Sequence, residues 1–211
     1  MRSTIQPPIT GQTAPASRPK VAIIVGSTRP GRKAEAVATW VHTLAAHRDD
    51  ATFEVVDIAD YALPHLDEPV PPRAGHYSHP HTHAWAQKIG SYDAYVFVTP
   101  EYNASVPGAL KNAIDFLYAE WNGKAAGFVG YGIQGGIRAV EHLRQILGDL
   151  EVAPMPTTVA LTLADDFQDH VHFTPGAVPA ENVALMLDEL VARTARSRAA
   201  GRVGADLVGH E

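Results

Sequence analysis

The run Gly26-Ser27-Thr28-Arg29-Pro30-Gly31-Arg32-Lys33 puts two hydroxyls and three cations into eight positions, directly ahead of a helical pattern. Such groups, converging where main-chain N–H groups point out of a helix start, suit a dianionic phosphate. The loop matches neither the GxGxxG of a dinucleotide fold nor the GxxxxGK[ST] of an NTPase, and its cations fit a terminal monophosphate better than a pyrophosphate pressed on bare glycines. Taken alone, the same residues serve equally as a solvated, capped turn. A second stretch, Thr99 to Asp115, holds Pro100, Glu101, Tyr102 and Asn103. There a proline-fixed backbone beside an aromatic ring and an amide offers main-chain N–H and C=O groups to the edge of a flat heterocycle. A third, Gly130-Tyr131-Gly132-Ile133-Gln134-Gly135-Gly136, lets backbone approach that ring closely. Each is loop punctuation by itself; together they call for a flat, phosphorylated ligand.

The elements that must carry these loops alternate along the chain. Val21 to Val25 is a continuous apolar run of the kind a strand buried on both faces shows. Ala34, Val37, Ala38, Val41, Leu44 and Ala45, spaced by three and four, predict a helix ending near His47. Further strands are expected at Phe53 to Ile58, Ala94 to Val98, Ala125 to Val129, and Val152 with Val159 to Leu161. Helices are expected around Trp85 to Ile89, over 107–120 with Pro107 in its first turn, at Ala139 to Leu147, and through Val183, Met186, Leu187, Leu190 and Val191. Five strands alternating with helices imply an α/β fold whose parallel sheet is covered on both faces, with ligands beyond the carboxyl ends of the strands. In the 107–120 helix, Leu110, Ala113, Ile114 and Leu117 face the sheet, while Ala109 and Phe116 form a second apolar flank. A second flank predicts a second subunit, hence a homodimer or homotetramer with the cleft at the interface.

The chain has 211 residues, 45% hydrophobic and 19% charged, which is globular composition. A net charge of -6 speaks against a nucleic-acid partner or an acidic membrane surface, and no apolar run is long enough to span a bilayer. With no Cys there is no disulfide, thiolate metal site or Cys nucleophile, so redox chemistry has to come from a bound cofactor. Residues 1–19 predict a flexible tail without a signal peptide's apolar stretch, and therefore a cytoplasmic protein; 20–199 form the domain, and 200–211 a frayed end.

The stretches GSTRPGR, VFVTPEYNASVPGALKNAIDFLY and GYGIQGG, in this order within residues 20–195, resemble the NAD(P)H-dependent FMN reductases. The PEYN…PGALKNAID part is the specific one. The resemblance implies a flavodoxin-like three-layer sandwich with a five-stranded parallel sheet. It also implies an FMN-dependent oxidoreductase that takes hydride from NADPH or NADH and delivers it to a quinone, free flavin or similar small-molecule acceptor. Carried over by position, Ser27 and Arg29 hold the phosphate, with Thr28, Lys33 and the loop amides assisting. Pro100, Glu101, Tyr102 and Asn103 border the flavin, and Tyr131, Gly132, Gln134, Gly135 and Gly136 close over it. Many members carry a second Ser three residues after the loop Arg; here Arg32 stands there, replacing a hydroxyl contact or facing solvent. Two other readings share the fold: a flavodoxin-type electron carrier, which is usually more acidic with a Thr-rich phosphate loop, and a ligand-binding module without catalysis.

Four His in HYSHPHTH, residues 76–83, invite a metal, but no acidic residue stands at helical ligand spacing. A mobile loop at the flavin mouth is expected instead, with Tyr77 or His79 in reach of a substrate. Asp165, Asp166, Asp169, His170 and His172 read as a polar loop leading to Pro175 and Gly176, and no G-x-S-x-G elbow supports a hydrolase.

Overall fold

In the computed structural model, which describes residues 17–208 and side chains as far as residue 200, the strands are β1 (Lys20–Val25), β2 (Thr52–Asp57), β3 (Ala94–Pro100), β4 (Ala125–Gly132) and β5 (Ala153–Thr162). They form one parallel sheet in the order β2-β1-β3-β4-β5, crossing over between β2 and β3. This is the three-layer sandwich expected, and the switch of direction beside β1 and β3 leaves a crevice above their carboxyl ends.

The apolar runs divide by strand alternation. Val21, Ile23, Val25, Val96 and Val98 face α1 (Ala34–Ala45) on one side, whereas Ala22, Ile24, Tyr95, Phe97 and Phe128 face the other. That second side is covered by α2 (Pro80–Gly90), α3 (Gly108–Asp115) and α4 (Ile137–Asp149). The last helix, α5 (Ala177–Val208), joins α1 through Val183, Met186, Leu187 and Leu190. It lies so near β4 that a Cβ on Gly127 would stand 2.7 Å from the Met186 sulfur. On the exposed edge, β5 carries Pro154 and Pro156, which lack the N–H of an interior strand, and its register with β4 shifts between Ala126 and Phe128.

Several boundaries differ from expectation. The 107–120 helix stops at Asp115, where its last turn tightens with Leu117 N–H on Ile114 O, and two buried indoles bond its final carbonyls: Trp85 Nε1 donates to Ala113 O at 2.7 Å and Trp121 Nε1 to Ile114 O at 3.1 Å. Phe116, expected on a free flank, is fully buried by its own chain and meets the His81 ring edge-on at 5.7 Å. That flank therefore needs no second subunit. α5 continues to Val208, past the fraying expected from residue 200, while residues 209–211 lie outside the described residues. So do residues 1–16 of the expected tail; Ser17 is held by the Arg198 guanidinium at 2.8 Å, and the Pro19 carbonyl accepts from Thr52 N–H.

Candidate functional site

At the carboxyl end of β1 the chain turns away so close to β3 that Gly26 N–H reaches Val98 O at 2.8 Å, and a Cβ there would stand 2.7 Å from that oxygen. The turn buries Ser27 completely, with its Oγ 3.0 Å from the Tyr102 hydroxyl and accepting from Arg29 N–H at 3.3 Å. α1 follows with Lys33 at its N-cap and no side-chain cap there, so the positive end of the helix dipole faces the cleft beside the Tyr131 hydroxyl. Arg29, Arg32 and Lys33 line a cleft of about 230 Å³. Arg32 is compensated: its guanidinium lies 2.5 Å from Asp57 Oδ2 and also pairs with Glu35, while its Nε is buried without a partner. Arg29 and Lys33 have no carboxylate partner among the described residues; the Lys33 ammonium lies 6.0 Å from the centre of the Phe167 ring. Thr28 faces the other side of the loop, onto a cavity of about 300 Å³ shared with Ile58, Ala59, Ala109 and Asn112.

The loop after β3 is a miniature hairpin. Tyr102 and Ser105 exchange two backbone hydrogen bonds, and Asn103 and Ala104 between them take φ of +50° and +66°, the signs of a type I′ turn. Asn103 is thereby put at an exposed tip, while Pro100, Glu101 and Tyr102 line the cleft. Glu101 acts as a staple between loops. Its N–H donates to Tyr131 O at 3.1 Å, and its carboxylate, 7% exposed, accepts from Arg138 Nε at 2.7 Å, from Arg138 Nη2, and from Arg138 N–H in the first turn of α4. Burial opposes the charge on Glu101, but Arg138 outweighs it and holds the carboxyl below its ordinary value.

In the third loop only Tyr131 and Gly132, of the five residues expected there, line the cleft. Gly135 and Gly136, at φ of +70° and +71°, fold the loop back on the end of β4, where a Cβ on Gly136 would stand 2.5 Å from Tyr131 N. Gln134 stands exposed at the tip. Burial pushes the Tyr131 hydroxyl well above its ordinary value, so it stays a protonated donor at neutral pH.

One wall of the cleft was not anticipated. Leu163, the first residue after β5, lines it and donates its N–H to Gly132 O at 3.0 Å. The expected polar loop is an ordered hairpin, β6 (Phe167–Gln168) against β7 (His172–Phe173), whose Phe167 ring lies 6.2 Å from Tyr131 and 5.0 Å from Phe173. The available signal was two Phe six residues apart flanking a short polar stretch. Conversely, residues 62–82 do not reach the cleft. They are strapped along α3 by Asn112, which accepts from Leu66 N–H and donates to Pro64 O, and Tyr77 is bonded at 2.7 Å to Glu120, beyond the far end of that helix. His79 is held there too, its N–H on Glu68 and its ring stacked on His81 at 5.1 Å. Neither Tyr77 nor His79, expected in reach of a substrate, lines the cleft.

An uncapped helix start, two uncompensated cations and a buried hydroxyl make an anion site, and Pro100, Tyr102 and Tyr131 beside it make a flat, largely apolar wall. This donor set fits a phosphate monoester that carries an aromatic ring.

A family model described as NADPH-dependent FMN reductase matches residues 19–166. The NAD(P)H-dependent FMN reductase of Schizosaccharomyces pombe is 43% identical over 150 residues, 70% of this chain and 75% of that protein. The quinone reductase of Escherichia coli is 38% identical over 144 residues, 64% of this chain and 73% of its own length. Among solved structures, FerB, a flavoenzyme NAD(P)H:(acceptor) oxidoreductase from Paracoccus denitrificans, superposes with a TM-score of 0.66 at 26% identity over 85% of this chain and 98% of that one.

Proposed function

Because the chain belongs to the NADPH-dependent FMN reductase family, we propose that it is an FMN-dependent oxidoreductase that takes electrons from NADPH or NADH and hands them to a small acceptor such as a quinone or free flavin. The observation that carries this is the pair of uncompensated cations, Arg29 and Lys33, at the uncapped start of α1 and beside an aromatic wall. FMN bound there would supply the hydride chemistry. The chain supplies the rest. Arg29, Lys33 and the first amides of α1 would hold the phosphate, with Ser27 fixing the loop through Tyr102. Pro100, Tyr102, Tyr131 and Gly132 would border the ring, Glu101 and the paired glycines keep those loops in place, and Arg32 braces the first loop to β2 through Asp57. Asn103, Thr28 and Gln134, which stand away from the cleft walls, would reach the ligand only at its margins.

Anaerobic mixing tests the reading. NADPH or NADH should bleach the flavin of the purified protein and a quinone should restore its colour; bleaching only by a reduced protein donor would make the chain an electron carrier. We also take the enzyme to be a cytoplasmic homodimer or homotetramer. A light-scattering mass of 22.6 kDa for flavin-loaded protein would rule out the oligomer.

A further inference from the structure

Of the five lysines in the chain, Lys33 lines the cleft, Lys88 pairs with Glu54 at 2.5 Å, Lys111 pairs with Asp115 at 2.6 Å, and Lys20 is exposed. Lys124 differs from all four. It stands half-buried just before β4 without a carboxylate in ion-pair distance among the described residues, and its Nζ donates to three neutral oxygens: Tyr95 Oη at 2.9 Å, Ile89 O at 3.3 Å and Gly90 O at 3.4 Å. The Tyr95 hydroxyl turns its own proton to main-chain carbonyls, Ile89 O and Glu120 O, each at 3.0 Å. Every group bonded to Nζ is therefore an acceptor, and none of them ties up a lone pair when the amine is neutral. Lys124 also lines a hollow of about 150 Å³, shared with Asp93 and with Thr194, Ser197 and Arg198 of α5. Thr194 is buried there and Ser197 and Arg198 are half-buried. The hollow lies at the amino ends of β3 and β4, about 20 Å of strand away from the cleft. Burial disfavours the ammonium, Asp93 and Glu120 oppose that, and burial wins, bringing Lys124 down to about 8. At pH 7.4 about a fifth of the molecules then carry a neutral amine, against about one in a thousand for an ordinary lysine near 10.4.

We propose that Lys124 is a modification site, the amine of this chain that accepts a small acyl group from an acyl phosphate. The Nζ lone pair attacks the acyl carbonyl carbon, the bond from that carbon to the phosphate oxygen breaks, inorganic phosphate leaves with the electron pair, and the surplus proton of the amine passes to water. Atoms and charge balance with no further reactant. The hollow is smaller than the roughly 300 Å³ at which ordinary ligand pockets begin, so it admits a two-carbon acyl group and not the body of a nucleotide-bearing donor. Arg198 at its wall, bonded to Ser17 and 3.6 Å from Asp93, brings a guanidinium to the side from which the phosphate departs. The amide that forms is uncharged and has one N–H for the three oxygens that the ammonium served. Acylation therefore unties the last turn of α2, where Ile89 and Gly90 lie, from the foot of β4.

The purified full chain is incubated with acetyl phosphate at pH values from 6.5 to 10, and mass spectrometry of its peptides follows acetylation of each lysine. The same chain unfolded in guanidinium chloride is the reference. At pH 7.4 Lys124 should acetylate about tenfold faster in the folded chain than in the unfolded one, the gain in free amine being partly offset by the slower attack of a less basic nitrogen. Its rate should level off above about pH 8.5, whereas in the unfolded chain it keeps climbing toward the ordinary lysine range. Ser197→Phe, which fills the hollow from α5, should slow Lys124 and leave Lys20 and Lys111 at their wild-type rates. A folded rate no greater than the unfolded one, or one still rising at pH 10, would overturn the assignment. So would a folded Ser197→Phe protein that acetylates Lys124 as fast as wild type. If that variant does not fold, the pH profile of the wild-type chain decides alone.

Discussion

Replacing Arg29 and Arg32 in turn separates an arginine that holds a ligand from one that holds the fold. Both line the cleft within three residues of each other, yet Arg32 is neutralised by Asp57 and Glu35 whereas Arg29 has no carboxylate partner among the described residues. A hydrogen bond to a charged group contributes about 1.5–3 kcal/mol, and a phosphate dianion 4 Å from a guanidinium gains about 2 kcal/mol even at the dielectric of water. Arg29→Ala should therefore raise the FMN dissociation constant by about 10- to 100-fold. Arg32→Ala should change it by less than about threefold, because its charge is already spent on Asp57, and should instead lower stability by about 1 kcal/mol by leaving that half-buried carboxylate unpaired. Titration of apoprotein with FMN, followed by quenching of flavin fluorescence, measures the first effect, and urea unfolding of apoprotein the second. The Arg29 effect should shrink between 0.1 M and 1 M salt, as the screening length falls from about 10 Å to 3 Å. An Arg29→Ala affinity within twofold of wild type, with Arg32→Ala the weaker binder, would refute the charge accounting.

Glu101→Gln should cost about 1–2 kcal/mol at pH 7, since the carboxylate takes three hydrogen bonds from Arg138. Its folded pKa is depressed, so this stability is present above the unfolded value of about 4.3 and fades as pH falls through the folded one; urea unfolding across pH 3–7 should show variant and wild type converging in acid. Gly31→Ala and Gly136→Ala meet the same left-handed backbone but different space: nothing lies within 4 Å of a Cβ at Gly31, whereas Tyr131 N is 2.5 Å away at Gly136. Thermal melts should show a loss of about 1–2 kcal/mol for the first and more than about 3 kcal/mol for the second. Burial pushes the Lys124 ammonium down to about 8, where it donates to Tyr95 Oη at 2.9 Å and to the carbonyls of Ile89 and Gly90. The unfolded chain then binds that proton more tightly, so stability from this group rises with pH between about 8 and 10.4, and Lys124→Met should flatten the rise in unfolding midpoints over that range.

Local pattern was enough for the sheet and for the three loops. The run Val21 to Val25 could only be a strand covered on both sides, and a loop rich in hydroxyls and cations after it could only lie at the ligand end of such a sheet. What local pattern cannot carry is which groups satisfy one another across the fold. Arg29 and Arg32 look alike in sequence, and their difference is made by Asp57, 25 residues away on β2. The 107–120 helix has an unbroken apolar stripe, but it ends at Asp115 where Trp85 and Trp121 bond its last carbonyls, and its Phe116 flank is closed by His81 of α2. Glu101 reads as a residue bordering the cleft, and it does line it, but that its carboxylate is held by Arg138 on α4 was not legible. The hairpin that walls the cleft was hidden for the same reason: with two-residue strands it has too little periodicity to register, and its order comes from Phe167 packing on Tyr131 and from Leu163 bonding to Gly132. Backbone periodicity is a property of neighbours in the chain, whereas charge compensation and hydrogen-bond satisfaction belong to neighbours in space.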